Sequence, residues 1–404
     1  MPLASPAPFR HRFGLVPRVA APVAAALVAL VALVTQVAGG GSTATALPVG
    51  AASAPCRPLT IGYLGRLTGD DSSGRTQLAA ARLAAERYSA TARCPVTVTP
   101  FDLGADGSGL TSAVSAAVDD PSIVAVIGPE RSGEVLVAGP GFEYAHMPFV
   151  VTAATRPDLG AQGWTTYHRL VGGDTIQGAA AARWITKHLH PGAVGVVDDG
   201  SPYGSALAAA VRKDLGATPV VSVEITPGAT DQTETVAALS RLGANDAVYF
   251  AGYPTDGGRL LAALRAAGNP VPFLGGDSLP TDSFLAAAGG AAEGVVMTCA
   301  CTPPARVDGG SAFVQEMTTA TGTTPEPGEY AAESYDAADL ILTAIGSGAR
   351  TRDQVERALD RIRHRGLVGT HSFDRHGESM APKIWVYRVE GGRIVPVEAV
   401  TPRR

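Results

Sequence analysis

Charge, aromatic surface and sulfur are all scarce in this chain. Charged side chains make up 17% of its 404 residues and aromatic ones 6%, and it has four cysteines. The net charge is −5, and Arg10, Arg12 and Arg18 are the only charged side chains in the first 46 residues, so the remainder carries −8. An acidic body with no basic face excludes nucleic acid as a partner. The common catalytic motifs are missing too: there is no Gly-x-Ser-x-Gly elbow, no Gly-x4-Gly-Lys-Ser/Thr phosphate loop and no His-x-x-x-His pair. His188 and His190 flank Leu189 at a predicted helix end, where polar or cationic groups suit the dipole, and His364, His371 and His376 are dispersed. Binding without chemistry, and without a cofactor or metal, is the economical reading. After residue 46 no apolar run is long enough to span a bilayer.

What is present begins with a targeting segment. The three arginines precede the apolar run Val19 to Val37, and Ala44-Thr45-Ala46 then offers a small-x-small cleavage site. That order reads as a secretory signal over residues 1–46, with a retained anchor as the alternative because the apolar run is long. Residues 47–56 follow as a linker. The cysteines agree with export. Cys56 and Cys94 each precede a predicted strand, and if those strands are parallel neighbours a disulfide between them is reasonable and contributes roughly 4 kcal/mol. Cys299 and Cys301 form a Cys-x-Cys, for which a local disulfide is preferred over two free thiols; no ligand-spaced partner suggests metal.

From residue 59 onward, short β-branched runs alternate with helical stretches, the pattern of parallel sheets covered on both faces. One series ends at the strand Pro148–Val151. A linker, 163–170, precedes a second series that runs to Val295–Thr298. Three helices follow, the last read as 352–363, and the chain closes in strands. The fold class is therefore α/β, two doubly wound parallel-sheet lobes joined by a multi-strand hinge. Lobe I takes 57–168 and 302–367, and lobe II takes 169–301 and 368–400. Two strand-to-turn junctions stand out in the first series. Ile123–Ile127 leads into Gly128-Pro129-Glu130-Arg131-Ser132-Gly133 and a helix, and Pro148–Val151 leads into Thr152-Ala153-Ala154-Thr155. Both strand ends fall on one sheet edge beside a helix N-terminus, whose free N–H groups and dipole favour an anion. Ser132, the amides near Gly133, and Thr155 are thus candidates to hold a carboxylate.

Six segments in order carry a resemblance over nearly all of the mature chain: Ile61 to Gly69, Ile127-Gly128-Pro129 with Ser132, Ala153-Ala154-Thr155, Asp198 to Gly204, Phe250-Ala251-Gly252-Tyr253, and Gly275-Gly276-Asp277. They resemble the extracytoplasmic solute-binding proteins of the leucine/isoleucine/valine-binding family, the type I periplasmic-binding-protein fold. The resemblance implies a monomer whose lobes close over a small molecule, a branched-chain or other neutral amino acid, and deliver it to a membrane ABC permease. It further implies Ser132 and Thr155 on the ligand carboxylate, the Ala153 carbonyl and Thr155 hydroxyl near the ammonium, Asp277 pairing with the ammonium, and Tyr203 and Tyr253 covering the ligand. Plainer roles stand beside these: Ser132 capping its helix, Thr155 bonding its own turn, Tyr203 and Tyr253 packing, and Asp277 capping a turn before Pro280. Glu130 and Arg131 depart from the small or apolar residues usual before the serine. The alternative function is a ligand-sensing, receptor-like module anchored by an uncleaved N-terminal helix.

Overall fold

The computed structural model describes residues 57–69, 73–92 and 94–400. The expected targeting segment and linker, together with Cys56, Asp70 and Asp71, lie outside them. Cys94 is disulfide-bonded. Among the described residues no helix is long and apolar enough to cross a membrane.

The first layer is built from β1 (Leu59–Gly65), α1 (Ser73–Ser89), β2 (Val96–Asp102), α2 (Leu110–Asp119), β3 (Ile123–Ile127), α3 (Ser132–Tyr144), β4 (Phe149–Val151) and β5 (Tyr167–Arg169). Its sheet is parallel in the order β2-β1-β3-β4-β5. Every residue of β1 and β3 is buried, as a central parallel strand requires when helices cover both faces. The expected linker turns out to hold β5, whose Tyr167, His168 and Arg169 pair with β4 as an edge strand. Tyr167 is held there by an aromatic cluster with Phe149 and Trp164, at ring-centroid distances of 5.6 and 6.4 Å.

The second series comprises α4 (Asp174–His188), β6 (Val194–Asp198), α5 (Pro202–Asp214), β7 (Val220–Glu224), α6 (Thr233–Ala238), β8 (Ala247–Ala251), α7 (Pro254–Ala266), β9 (Phe273–Gly275), α8 (Asp282–Ala288) and β10 (Val296–Cys299). The chain then returns to the first layer through α9 (Gly310–Thr321), α10 (Ala331–Gly346) and α11 (Arg352–Leu359). Ala80, Ala81, Ala84 and Ala85 of α1 share one core with Ala337, Ala338 and Ile341 of α10, and their small side chains let the helices approach closely. The small hairpin β11 (His364–Arg365) and β12 (Thr370–His371) follows. Finally β13 (Ile384–Glu390) and β14 (Arg393–Val400) join the second sheet, whose order is β14-β13-β10-β9-β8-β6-β7. These last two strands are antiparallel to their neighbours, so the second sheet is mixed. Helix α11 stops at Leu359, short of the expected 363; the Asp360 side chain meets His168 Nε2 at 3.1 Å, and the chain then pairs as β11.

The chain passes between the sheets three times: after β5, after β10 and before β13. Two of these crossings are tied together. Arg169, 2% exposed, donates from Nε at 2.8 Å and Nη2 at 2.6 Å to Glu378, and from Nη1 to the Arg156 carbonyl at 2.7 Å. The Arg169 amide also donates to the Gly377 carbonyl at 2.7 Å. At the remaining crossing, just after β10, Cys299 and Cys301 are joined as a disulfide and buried.

Candidate functional site

The carboxyl ends of the two sheets face one another across a cleft, and a pocket lies between them. Ser132, Ala153, Tyr203, Tyr253 and Asp277 all line it; Gly133 and Thr155 do not. The lobes touch around it. Arg156 Nη1 donates to the Pro202 carbonyl at 3.1 Å, the Arg131 guanidinium stacks over the Tyr253 ring at 4.2 Å, and the Gly328 amide donates to the Pro280 carbonyl at 3.0 Å.

On the first-sheet side, Ser132 is the first residue of α3, and the helix is capped without it. Glu134 reaches back to accept from the Arg131 amide at 3.2 Å, and its other oxygen takes Arg66 Nε at 2.7 Å. The Ser132 hydroxyl instead accepts from the Arg156 amide at 3.3 Å and borders the pocket. Ala153 and Ala154 add small side chains and peptide groups, so this wall is close-fitting, and the two charged side chains that line it, Glu130 and Arg131, are adjacent and of opposite sign. Gly133 packs toward Pro202 of the opposite lobe. Thr155 is fully buried behind the wall; its Oγ1 has no hydrogen-bond partner of good geometry, and its carbonyl accepts from the Asp174 amide at 2.7 Å.

The second-sheet side is organised around two carboxylates. Asp199, at the end of β6, accepts from the Ser201 amide at 3.1 Å and the Tyr253 amide at 3.1 Å, holding the starts of α5 and α7 together. Gly204 and Gly252 allow this, since a methyl at either position would collide with the Asp199 carboxylate. Ser201 caps α5 by accepting from the Gly204 amide at 2.9 Å, and Pro202 takes the first helical position, which sets Tyr203 over the pocket. Tyr253 stands beside it, the two rings 5.6 Å apart.

The second carboxylate is Asp277, 3% exposed at the base of the pocket. Its Oδ1 accepts from Gln177 Nε2 and from the Tyr203 hydroxyl, both at 2.7 Å, and its Oδ2 accepts from the Tyr330 hydroxyl at 2.5 Å. Gly276 makes room, because a methyl there would lie 2.5 Å from the Tyr203 oxygen. Tyr330 reaches Asp277 from a left-handed backbone conformation, φ 53°, that a tyrosine rarely adopts outside functional sites. Burial pushes the Asp277 carboxyl above its ordinary value even against those three donors. Burial likewise holds the Tyr203 and Tyr330 hydroxyls well above the usual tyrosine range, so both stay protonated and donate. Behind Asp277 lies Asp174, fully buried at the start of α4, with neither oxygen in a hydrogen bond of good geometry. Burial, and then the nearby Asp277 charge, push its carboxyl up to about 8.

Sequence reasoning passed over Tyr330, Gln177, Asp174 and Gln77. Gln77 carried a signal, since it occupies a position of α1 in register with the buried Gly74, Ala81 and Ala84. Asp174 carried none, because an acid in the first turn of a helix ordinarily means a solvated dipole partner.

A family model described as periplasmic binding protein matches residues 58–393. The chain belongs to the periplasmic binding protein family. Members are binding proteins that work outside the cytoplasm. Similar proteins include a Leu/Ile/Val-binding protein homolog 3 of Brucella melitensis, 28% identical over 371 residues, 88% of this chain and 98% of the relative. An amino acid binding protein of Pseudomonas aeruginosa is 27% identical over 81% of this chain and 89% of its own length. Among solved structures, the leucine-binding protein LivK of Thermotoga maritima superposes with a TM-score of 0.78 at 24% identity, covering 85% of this chain and 99% of that one. LivJ of Streptococcus pneumoniae in complex with isoleucine gives 0.79 at 21%, over 86% and 100%. At these identities the structures establish the fold alone.

Proposed function

We propose that this protein is an extracytoplasmic solute-binding protein that captures a small carboxylate-bearing molecule, a branched-chain or other neutral amino acid, by lobe closure and delivers it to a membrane ABC permease. The observation that carries this is a single pocket with unlike walls: a hydroxyl and peptide groups at the start of α3 on one side, and the buried Asp277 carboxylate with its three donors on the other. An α-carboxylate suits the first wall and an α-ammonium the second, so a zwitterion bridges the lobes, and binding and closure become one equilibrium. In this reading Ser132 and the nearby amides hold the carboxylate. The Ala153 carbonyl and Asp277 take the ammonium, while Tyr203 and Tyr253 close over the ligand. Thr155 acts from behind the wall, through the Asp174 amide it fixes. Relatives named as amino-acid-binding proteins favour this over an anchored sensing module.

The experiment is a thermal-shift panel of amino acids, amides and simple carboxylic acids on the mature protein. A ligand at about a hundred times its Kd stabilises by roughly 2.7 kcal/mol. An upward shift with at least one α-amino acid is expected, and no shift with any of them overturns the zwitterion reading.

A further inference from the structure

Beyond the groups that suit a zwitterion, the same pocket is lined by Ser73 and Gln77 of α1, Glu130 after β3, and Thr281 and Ser283 around the start of α8. These further lining groups are polar, although an aliphatic side chain would need apolar contacts. Thr281 is 7% exposed, and its Oγ1 has no hydrogen-bond partner and does not cap α8. Glu130 is likewise 7% exposed and accepts from the Tyr63 hydroxyl at 2.9 Å. Its place is reserved by the fold, since a methyl on Gly74 would fall 2.6 Å from Glu130 Oε1. Gln77 is 1% exposed and accepts from the Thr152 hydroxyl at 2.6 Å.

We propose that the ligand is an α-amino acid whose side chain ends in an uncharged hydrogen-bonding group, a hydroxyl or an amide. The proposal rests on the amino-acid reading above and narrows it. The Thr281 hydroxyl is already buried without a partner, and an aliphatic side chain packed against it leaves it so, which keeps the cost of an unsatisfied buried polar group. A hydroxyl or amide supplies the missing partner. Full charge is not favoured, because Glu130 and Arg131 are adjacent and of opposite sign: a distal carboxylate meets the one and a distal ammonium the other. Specificity then comes from the side chain's hydrogen bonds rather than its volume.

The test uses near-isosteres on the mature protein by calorimetry. Threonine is expected to bind at least ~10-fold tighter than valine, and asparagine tighter than leucine, because a site built to hydrogen-bond discriminates strongly against the analogue lacking the group. Valine and leucine binding as tightly as their polar partners overturns the side-chain assignment and leaves the amino-acid reading intact. Silence from every α-amino acid overturns that reading itself, and this one with it. A second measurement uses Thr281→Val, which keeps the shape. The threonine-to-valine preference is expected to shrink roughly threefold or more; an unchanged preference removes Thr281 from the assignment. If the variant does not fold, the wild-type isostere pairs still decide.

Discussion

On the first-sheet side of the cleft, Ser132, Ala153 and Ala154 meet the pocket with a hydroxyl and peptide groups. On the second-sheet side, Asp277 meets it with a carboxylate buried under its own donors, and a second acid, Asp174, lies behind it. The first wall costs little to keep unoccupied, because its donors are held by the start of α3 and by the Arg156 amide. The second holds negative charge in a dry place, which is unfavourable until a cation arrives. The difference suggests a division of labour. The first lobe offers a ready anchor for an anion, and the second holds a demand for positive charge that closure satisfies.

The sharpest way to break this comparison is Asp277→Ala. Removing one partner of a buried, hydrogen-bonded charge pair costs about 2–5 kcal/mol, so α-amino acid affinity is expected to fall roughly 100-fold or more. Simple carboxylic acids of the same shape, which lack the ammonium, are expected to bind no worse. Calorimetry with both classes checks it. Equal losses for the two would show that Asp277 serves the lobe and not the cation.

Asp174 sets the second prediction, on stability. Its carboxyl sits at about 8 in the folded protein against an ordinary 3.8, raised by burial and then by Asp277. The folded state therefore keeps a proton that the unfolded chain has lost above about pH 4, and stability falls as pH rises from about 4 to 8. Arg156 and Arg169 oppose the shift, as does the Thr155 hydroxyl. Tyr203, Tyr249 and Tyr330 are the other titratable groups that feel its charge. Because Asp174 and Asp277 titrate as a pair, the readout is the slope of Tm against pH and not one midpoint. Asp174→Asn is expected to flatten that slope, matching the parent near pH 4 and melting roughly 5–10 °C higher at pH 8. Parallel curves would show that the second wall carries no such burden.

The comparison also explains what the sequence made legible. The central strands were plain because β1, β3, β6 and β8 are predominantly apolar runs with every residue buried, a signal that needs no knowledge of neighbours. Strand β5 was not, since Tyr-His-Arg has no strand-like pattern and is fixed by rings and by Glu378, distant in sequence. The seven-residue α8 and the early end of α11 were missed for the same reason: tertiary contacts set them. In the cleft, the first wall could be read from adjacent residues, as strand, turn and helix start. The second could not. Asp277 lies in a recognisable Gly-Gly-Asp, but the groups that hold it, Gln177, Tyr203 and Tyr330, lie 100, 74 and 53 positions away. A residue's environment is legible when it is local, and a buried charge is held by contacts that are not.

The smallest expected effect belongs to the first wall and tests its neutrality. Ser132 contributes one hydroxyl, which already accepts from the Arg156 amide at 3.3 Å and can still donate to a carboxylate. Ser132→Ala removes that donor and leaves the α3 amides in place, since Glu134 rather than Ser132 caps the helix. The loss is that of one hydrogen bond to a charged group, about 1.5–3 kcal/mol at most, so affinity is expected to fall roughly 10-fold, well short of the Asp277 effect. Because the hydroxyl acts on the carboxylate alone, amino acids and simple carboxylic acids are expected to lose the same factor. A loss confined to amino acids would place Ser132 on the ammonium and erase the distinction between the walls. Thermal stability is expected to change little, because the serine neither caps α3 nor fills a large space. A several-degree drop in Tm would instead make its bond to the Arg156 amide the reason this wall keeps its shape.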